Sequence, residues 1–274
     1  GRNRKRGQKM MDRNRKRIVS FDLDQTLLDH GTYTIPDSAL KALEKLKENS
    51  YVILATGRDM DNYYSREYKE IVKPDAIIHL NGTKITVGDE LIYEHTMDKT
   101  LLKELFAFAD KNGYALGATI GDEDYYLHPE VVERMDKDHW GVSGRRFKDP
   151  WELLDSPVRT LAYVGTEEGV KDIEAHFPQL KLPMFAGRRG ADVIEKTASK
   201  AKGLVRLCDH FHILLADTVA FGDSMNDYEI LVEAGTGVAM GNALAELKAV
   251  ADYVTDDIDK DGVWNACVNL GLFE

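Results

Sequence analysis

Short continuous apolar runs alternate with stretches of helical periodicity through the first part of the chain. Ile18-Val19-Ser20-Phe21 is apolar and rich in β-branched residues, the pattern of a strand buried on both faces. Pro36-Asp37 opens a helix in which Leu40, Leu43 and Leu46 keep helical spacing. Tyr51–Ala55 and Asp75–His79 read as two further buried strands, with a helix from about Asp59 to Ile71 between them. Strands of this kind alternating with helices predict βαβ units and a parallel sheet.

The rhythm changes at about Thr83. A hairpin across Gly88-Asp89 is followed by a helix over Lys99–Asn112, strands near 114–120 and 125–127, and a helical segment over 129–139. A strand over 158–164, a helix over 167–177 and a strand over 181–185 complete a self-contained α+β stretch. The first rhythm then returns, with strands at 192–195, 218–221, 237–240 and 253–254 separated by helices. The expected architecture is α/β: a doubly wound parallel-sheet core over residues 17–82 and 188–274, interrupted by an inserted α+β domain over 83–187.

Composition narrows the class. A chain of 274 residues suits two domains, and 43% hydrophobic with 30% charged residues is ordinary for a soluble globular protein. No stretch approaches the ~20 apolar residues of a membrane span, and the N-terminus lacks the apolar core of a secretory signal. Cys208 and Cys267 have no metal-ligand spacing and read as buried free thiols, so a reducing, cytoplasmic setting is expected. The net charge of −11 is unevenly spread. Nine Lys or Arg against one Asp fall in the first 17 residues, leaving 27 basic against 46 acidic residues elsewhere. Residues 1–16 read as a disordered basic leader, with Met10 or Met11 as a natural start. The acidic remainder is a poor nucleic-acid surface, so neither nucleic acid nor membrane is expected as a partner. Nothing in the sequence assigns an oligomeric state.

The candidate chemistry lies at strand ends. Asp22 and Asp24 close the first strand at i, i+2, a spacing that on a strand places both carboxylates on one side. Such a pair invites a divalent cation or a shared proton, although Asp is also common where a loop begins. Thr56-Gly57 ends the second strand, where a hydroxyl and exposed N–H groups can hold a phosphate or Thr56 can simply cap a helix. Lys200 starts a helix, close to the positive end of its dipole, with Lys196 and Lys202 as competitors for the same role. Asp223 and Asp227, with Asn226 between them, straddle another strand-to-helix turn. Four acids converging would make a hard, oxygen-lined pocket suited to Mg²⁺.

These motifs together resemble those of haloacid dehalogenase (HAD) superfamily phosphatases of the Cof-like group, which carry a large α/β cap inserted in the core. DLDQTLL resembles the first motif, TGR the second, the lysine of ASKAKGL the third and GDSMND the fourth. GVAMGNA and DGVWNA also resemble that group. The resemblance implies a Mg²⁺-dependent phosphatase acting on a small phosphorylated metabolite, a sugar phosphate, through an aspartyl-phosphate. It implies Asp22 as nucleophile and Asp24 as acid and base, with the Asp24 backbone carbonyl on the metal. Thr56, Gly57, Lys200 and Asn226 would hold phosphate, Asp22 and Asp223 would ligate Mg²⁺, and Asp227 would support the metal directly or through water. The sequence departs from the pattern at Gln25, where glycine is usual, and around Lys200, where Lys196-Thr197-Ala198 and Ala201 replace the usual Pro and Gly. A phosphomutase or phosphotransferase of the same family, or a non-catalytic phosphometabolite-binding protein, is the alternative. Candidates to face the leaving group are Asn81, Tyr125, Tyr126, His128, His139, Trp140, Arg188 and Arg189.

Overall fold

The computed structural model describes residues 11, 12, 14–185 and 187–273. Most of the expected basic leader, residues 1–10 and 13, lies outside the described residues. In chain order the first elements are β1 (Arg17–Phe21), α1 (Asp37–Lys47), β2 (Ser50–Ala55), α2 (Arg66–Val72), β3 (Ala76–His79), β4 (Lys84–Val87) and β5 (Glu90–Glu94). Next come α3 (Lys99–Asn112), β6 (Ala115–Ile120), β7 (Glu123–Tyr126), α4 (Pro129–Trp140), β8 (Phe147–Lys148), β9 (Leu161–Val164), α5 (Glu167–His176), β10 (Leu180–Lys181) and β11 (Gly190–Glu195). The chain ends with α6 (Lys200–Phe211), β12 (Thr218–Gly222), α7 (Tyr228–Glu233), β13 (Thr236–Ala239), α8 (Ala245–Val250), β14 (Tyr253–Val254) and α9 (Gly262–Leu270).

The chain divides into two units. One holds the described residues up to Met60, together with Ser65–Tyr93 and those from Ser199 onward; the other holds Asp61–Tyr64 and Glu94–Ala198. The first is built on an eight-stranded sheet in the order β14-β13-β12-β1-β2-β3-β4-β5. β14 through β3 run parallel, and β4 turns antiparallel against β3. β1 lies centrally and all five of its residues are buried, which is why its sequence is continuous rather than alternating. Successive residues face opposite layers. Val19 and Phe21 pack with α1 and α9 residues such as Leu43 and Ala266, while Ile18 packs with Leu204 of α6 and Ile230 of α7. Helices therefore cover both faces, the doubly wound arrangement.

Ser20, also on β1, is 1% exposed, and its hydroxyl has no hydrogen-bond partner. An unpaired buried hydroxyl costs about 1–3 kcal/mol. Ser20→Ala is accordingly expected to leave stability unchanged or to raise it by up to ~1 kcal/mol in urea unfolding. A loss above ~1 kcal/mol would show that the hydroxyl is satisfied after all.

The second unit has a six-stranded sheet in the order β10-β11-β9-β6-β7-β8, antiparallel except for β7 with β8. Leu102, Leu105 and Phe106 of α3 and Ile173 of α5 join Leu116, Leu161, Tyr163 and Val193 in its core. Asp98 caps α3 by accepting from the Leu101 N–H at 2.9 Å, and Gly113 ends that helix at φ 72°.

The observed units differ from the expected 17–82 and 188–274 around 83–187 at both junctions. The hairpin β4–β5, expected in the insertion, pairs with β3 and extends the core sheet. β11, expected in the core, pairs with β9 over four residues, so the strand belongs to the inserted unit. All three strands have the expected conformation; their partners are what sequence periodicity does not encode. The helix expected from Asp59 begins only at Arg66, because residues 59–65 form turns rich in Asp and Asn. Cys208 and Cys267 are buried free thiols, and burial pushes the Cys208 thiol up to about 11. No helix among the described residues is long and apolar enough to cross a membrane.

Candidate active site

The parallel strands deliver their carboxyl ends to one edge of the eight-stranded sheet, where open α/β sheets bind ligands. Asp22 follows β1 and stays in register with β12, its N–H donating to the Phe221 carbonyl at 3.1 Å. Thr56 follows β2, Asn81 follows β3 and Asp223 follows β12. Lys200 enters from the first turn of α6, whose N-cap Ser199 accepts from the Lys202 N–H at 3.1 Å. Gly82, at φ 99°, lets the turn after β3 press against that helix start, since a Cβ there would lie 2.1 Å from the Ser199 carbonyl oxygen. Gly222 serves the other side: a Cβ on it would lie 2.5 Å from the Asp227 Cβ, so only glycine leaves room for that carboxylate.

Three buried carboxylates meet one buried ammonium. Lys200 is 1% exposed, and its Nζ lies 2.8 Å from Asp227 Oδ1 and 3.2 Å from Asp22 Oδ1. Of the three competing lysines it alone is buried; Lys196 and Lys202 are exposed. The second Asp227 oxygen accepts from the backbone N–H groups of Asp223 at 3.0 Å and Ser224 at 3.3 Å. Asp223 accepts from the Thr26 hydroxyl at 3.1 Å. Asp22, Asp223 and Asp227 each present an oxygen within 4.8 Å of the others. One ammonium does not neutralise three carboxylates. Burial first, and then the Asp227 charge, raise the Asp22 carboxyl well above its ordinary range against the pull of Lys200. The same two causes push Asp223 up to about 7. Burial disfavours the Lys200 charge, yet Asp22 and Asp227 more than reverse it and hold the ammonium on. A surplus of buried negative oxygen is the donor set a hard divalent cation takes. Asp227 already gives both oxygens to Lys200 and to backbone N–H groups, so Asp22 and Asp223 have the freer oxygens for a cation.

Asp24 has a different environment. β1 ends at Phe21, and the Asp22 carboxylate accepts the next N–H, from Leu23, at 2.8 Å. Asp24 has its own set of hydrogen-bond partners, although its charge still acts on Asp22. Arg58 forks onto Asp24, with Nε to Oδ2 at 2.9 Å and Nη2 to Oδ1 at 2.6 Å. His30 Nε2 adds a contact to Oδ1 at 2.8 Å. Burial alone would raise this carboxyl; His30 and Arg58 outweigh it and hold Asp24 far below the carboxylate range. The Thr56 hydroxyl, fully buried, accepts from the Arg58 N–H at 3.0 Å, and Gly57 between them is half-buried.

Asn226 donates to the Asn81 side-chain oxygen at 3.1 Å and accepts from the Ser224 hydroxyl at 2.6 Å, tying the turn after β12 to that after β3. Asn81 itself is buried and left-handed, at φ 56°. Sequence reasoning quoted Arg58, Thr26 and Ser224 within motifs without giving them roles, and it passed over His30. The other leaving-group candidates belong to the six-stranded unit. There the Tyr126 ring is buried, His128 donates to the Asp110 carbonyl at 3.0 Å, and Arg188 and Arg189 are exposed.

Known proteins share this sequence and fold. A family profile described as haloacid dehalogenase-like hydrolase matches residues 19–267. The Bacillus subtilis (strain 168) protein YkrA is 29% identical over 269 residues, 94% of this chain and 99% of its own. The 5-amino-6-(5-phospho-D-ribitylamino)uracil phosphatase YitU of the same organism is 27% identical over 90% of this chain and 94% of its own. Among solved structures, an HAD subclass IIB sugar phosphatase is 31% identical at a TM-score of 0.84, covering 94% of this chain and 100% of its own.

Proposed function

Because the chain belongs to the haloacid dehalogenase-like hydrolase family and its relatives there are phosphatases, we propose that it is a Mg²⁺-dependent phosphomonoesterase for a small phosphorylated metabolite, working through an aspartyl-phosphate on Asp22. The observation that carries this is the buried Lys200 ammonium set between Asp22 and Asp227, beside a third buried carboxylate. Attack by a carboxylate on a phosphate dianion requires such fixed cations, since the chemistry rests on positioning and charge stabilisation.

In this reading an Asp22 oxygen attacks phosphorus, and the bond from phosphorus to the ester oxygen breaks. Asp24 supplies the proton that the departing oxygen takes, so it enters this step protonated, a form reached against the Arg58 and His30 contacts that favour its anion. Water then attacks the phosphorus of the acyl phosphate and Asp24 accepts its proton, which frees inorganic phosphate and restores the Asp22 carboxylate. The ionised Asp24 held by Arg58 and His30 is the form this second step needs. Lys200, the Thr56 hydroxyl and the Gly57 N–H hold the phosphoryl oxygens, with Asn226 placed by Asn81. Bound through Asp22, Asp223 and the Asp24 carbonyl, with Asp227 in support, Mg²⁺ supplies the positive charge that the three carboxylates lack. A sugar or polyol phosphate is the substrate class, in keeping with the sugar phosphatase and the ribityl phosphate phosphatase among its relatives.

The deciding assay is phosphate release from a panel of sugar phosphates, nucleotides, flavin mononucleotide, pyridoxal phosphate and p-nitrophenyl phosphate, with Mg²⁺ and with chelator. Release that needs Mg²⁺ is expected. Binding without release from any ester would overturn the reading. Mg²⁺ is also expected to raise the melting temperature, more at about pH 8 than at about pH 5. A carboxyl raised to about 7, as Asp223 is, must lose its proton before it ligates metal, and that cost falls as pH rises. An equal shift at both pH values would show that these carboxylates are not the ligands.

A further inference from the structure

His30 lies outside the motifs that identify the site, yet the loop that carries it is built with some care. Residues 25–34 fold on themselves. The Asp29 N–H donates to the Thr34 carbonyl at 3.0 Å, and the Asp29 carbonyl accepts from the Tyr33 N–H at 2.7 Å. The Asp29 side chain accepts from the Gly31 N–H at 2.8 Å. Gln25 and Tyr33, on either side of His30, both take left-handed backbone, at φ 62° and 54°. That conformation is unfavourable for a glutamine and uncommon for a bulky aromatic, and strain of this kind gathers where a side chain must be aimed.

What the loop aims is the imidazole. Gln25, at the position where the resemblance leads one to expect glycine, accepts the His30 N–H on its side-chain oxygen at 3.1 Å. The Tyr33 ring stacks on His30 at 5.5 Å between centroids and 17° between planes. His30 Nε2 thereby reaches Asp24 Oδ1, the oxygen that also receives the Arg58 Nη2 contact. The two side chains are 38% and 31% exposed, so the contact adds little to stability. A strained loop that brings one further donor to a carboxylate already bound by Arg58 is explained as an orienting device.

We propose that His30 is a positioning residue for Asp24: it and Arg58 hold the carboxyl from two directions, so that the acid and base of the reaction points at the ester oxygen. Arg58, itself placed by Ser65 and the Tyr68 ring, grips the carboxyl along one edge. The second donor arrives from a separate loop and shares Oδ1 with Arg58 Nη2. This assignment rests on the phosphatase reading given above.

The test separates substrates by their need for a proton. An alkoxide leaves only if it is protonated, whereas p-nitrophenolate departs as a stable anion. kcat/KM, which reports steps up to the first bond cleavage, is to be measured for p-nitrophenyl phosphate and for the alkyl ester of the panel that the wild type turns over fastest. The variants are His30→Phe, which keeps the ring on Tyr33 but removes the donor, and His30→Gln, which keeps a donor. For His30→Phe a loss of ~10-fold or more on the alkyl ester is expected, against less than ~3-fold on p-nitrophenyl phosphate. His30→Gln is expected within ~3-fold of wild type on both. Equal losses on the two substrates, no loss on either, or failure of Gln to rescue would overturn the assignment while leaving the phosphatase reading intact. Absence of turnover by the wild type itself would overturn both.

Discussion

Asp22→Asn is expected to reduce phosphate release by at least about 10⁴-fold and, in the same protein, to raise the melting temperature measured in chelator. The first effect follows from removing the proposed nucleophile: an amide oxygen is no longer an anion and forms no stable acyl phosphate. The second follows from the surroundings of the group. Asp22 is 5% exposed, and burial and Asp227 raise its carboxyl well above the ordinary 3.8. A carboxyl raised in the folded state favours folding only while it is protonated; its contribution is present below the unfolded value and is lost as pH rises through the folded one. At about pH 8 the metal-free wild type therefore folds against this charge, and Asn removes the charge at nearly constant shape. The Leu23 N–H keeps its acceptor, since Asn retains an oxygen at Oδ1. The gain should shrink towards about pH 4, where Asp22 is itself neutral. Thermal melts at the two pH values and a phosphate assay check both halves. Turnover near the wild-type level would remove Asp22 from the nucleophile role, and a lower melting temperature at about pH 8 would show that its charge is fully compensated without metal.

The groups that gather around Asp22 were largely legible in the sequence, for a reason particular to this architecture. Parallel strands buried on both faces have continuous apolar sequences, so their ends are sharp. The candidate site sits at those ends, where Asp22, Thr56 and Asp223 interrupt runs of Val, Ile, Leu, Ala and Phe. Lys200 was harder. Lys196, Lys200 and Lys202 are equivalent by composition, and only the packing of α6, where Lys200 is buried and its neighbours are exposed, separates them. Strand partnership was not legible at all for the β4–β5 hairpin and β11. Local periodicity says that a segment is extended, while its sheet depends on residues far away in sequence. His30 was invisible for a third reason. It reaches Asp24 only because Gln25 and Tyr33 adopt left-handed backbone, and neither residue type signals that conformation as glycine or asparagine would.

Lys200→Met tests the same charge balance from the opposite side. The substitution keeps most of the side-chain volume in a position that is 1% exposed, and it removes the ammonium that, among the described residues, faces Asp22 and Asp227. Leaving buried carboxylates without their cation costs about 3–5 kcal/mol, and loss of a fixed charge at the phosphoryl group costs about 10²–10³-fold in kcat. The stability defect should depend on pH, and Lys200 itself is not the source of that dependence. Its folded pKa is raised above 10.5, so its contribution is fully present throughout the neutral range and is lost only on the alkaline side. The carboxylates are the source: with the ammonium gone, Asp22 and Asp223, already raised, hold their protons to higher pH still. The defect should therefore be largest at about pH 8 and smaller at about pH 5, where protonation substitutes for the missing cation. Asp22→Asn combined with Lys200→Met removes one charge of each sign and should recover part of the stability lost in Lys200→Met, with no recovery of turnover. Denaturant unfolding of the four proteins at both pH values closes the cycle. Additive effects would mean that the ammonium and the nucleophile do not sense each other, in conflict with the 3.2 Å contact between them.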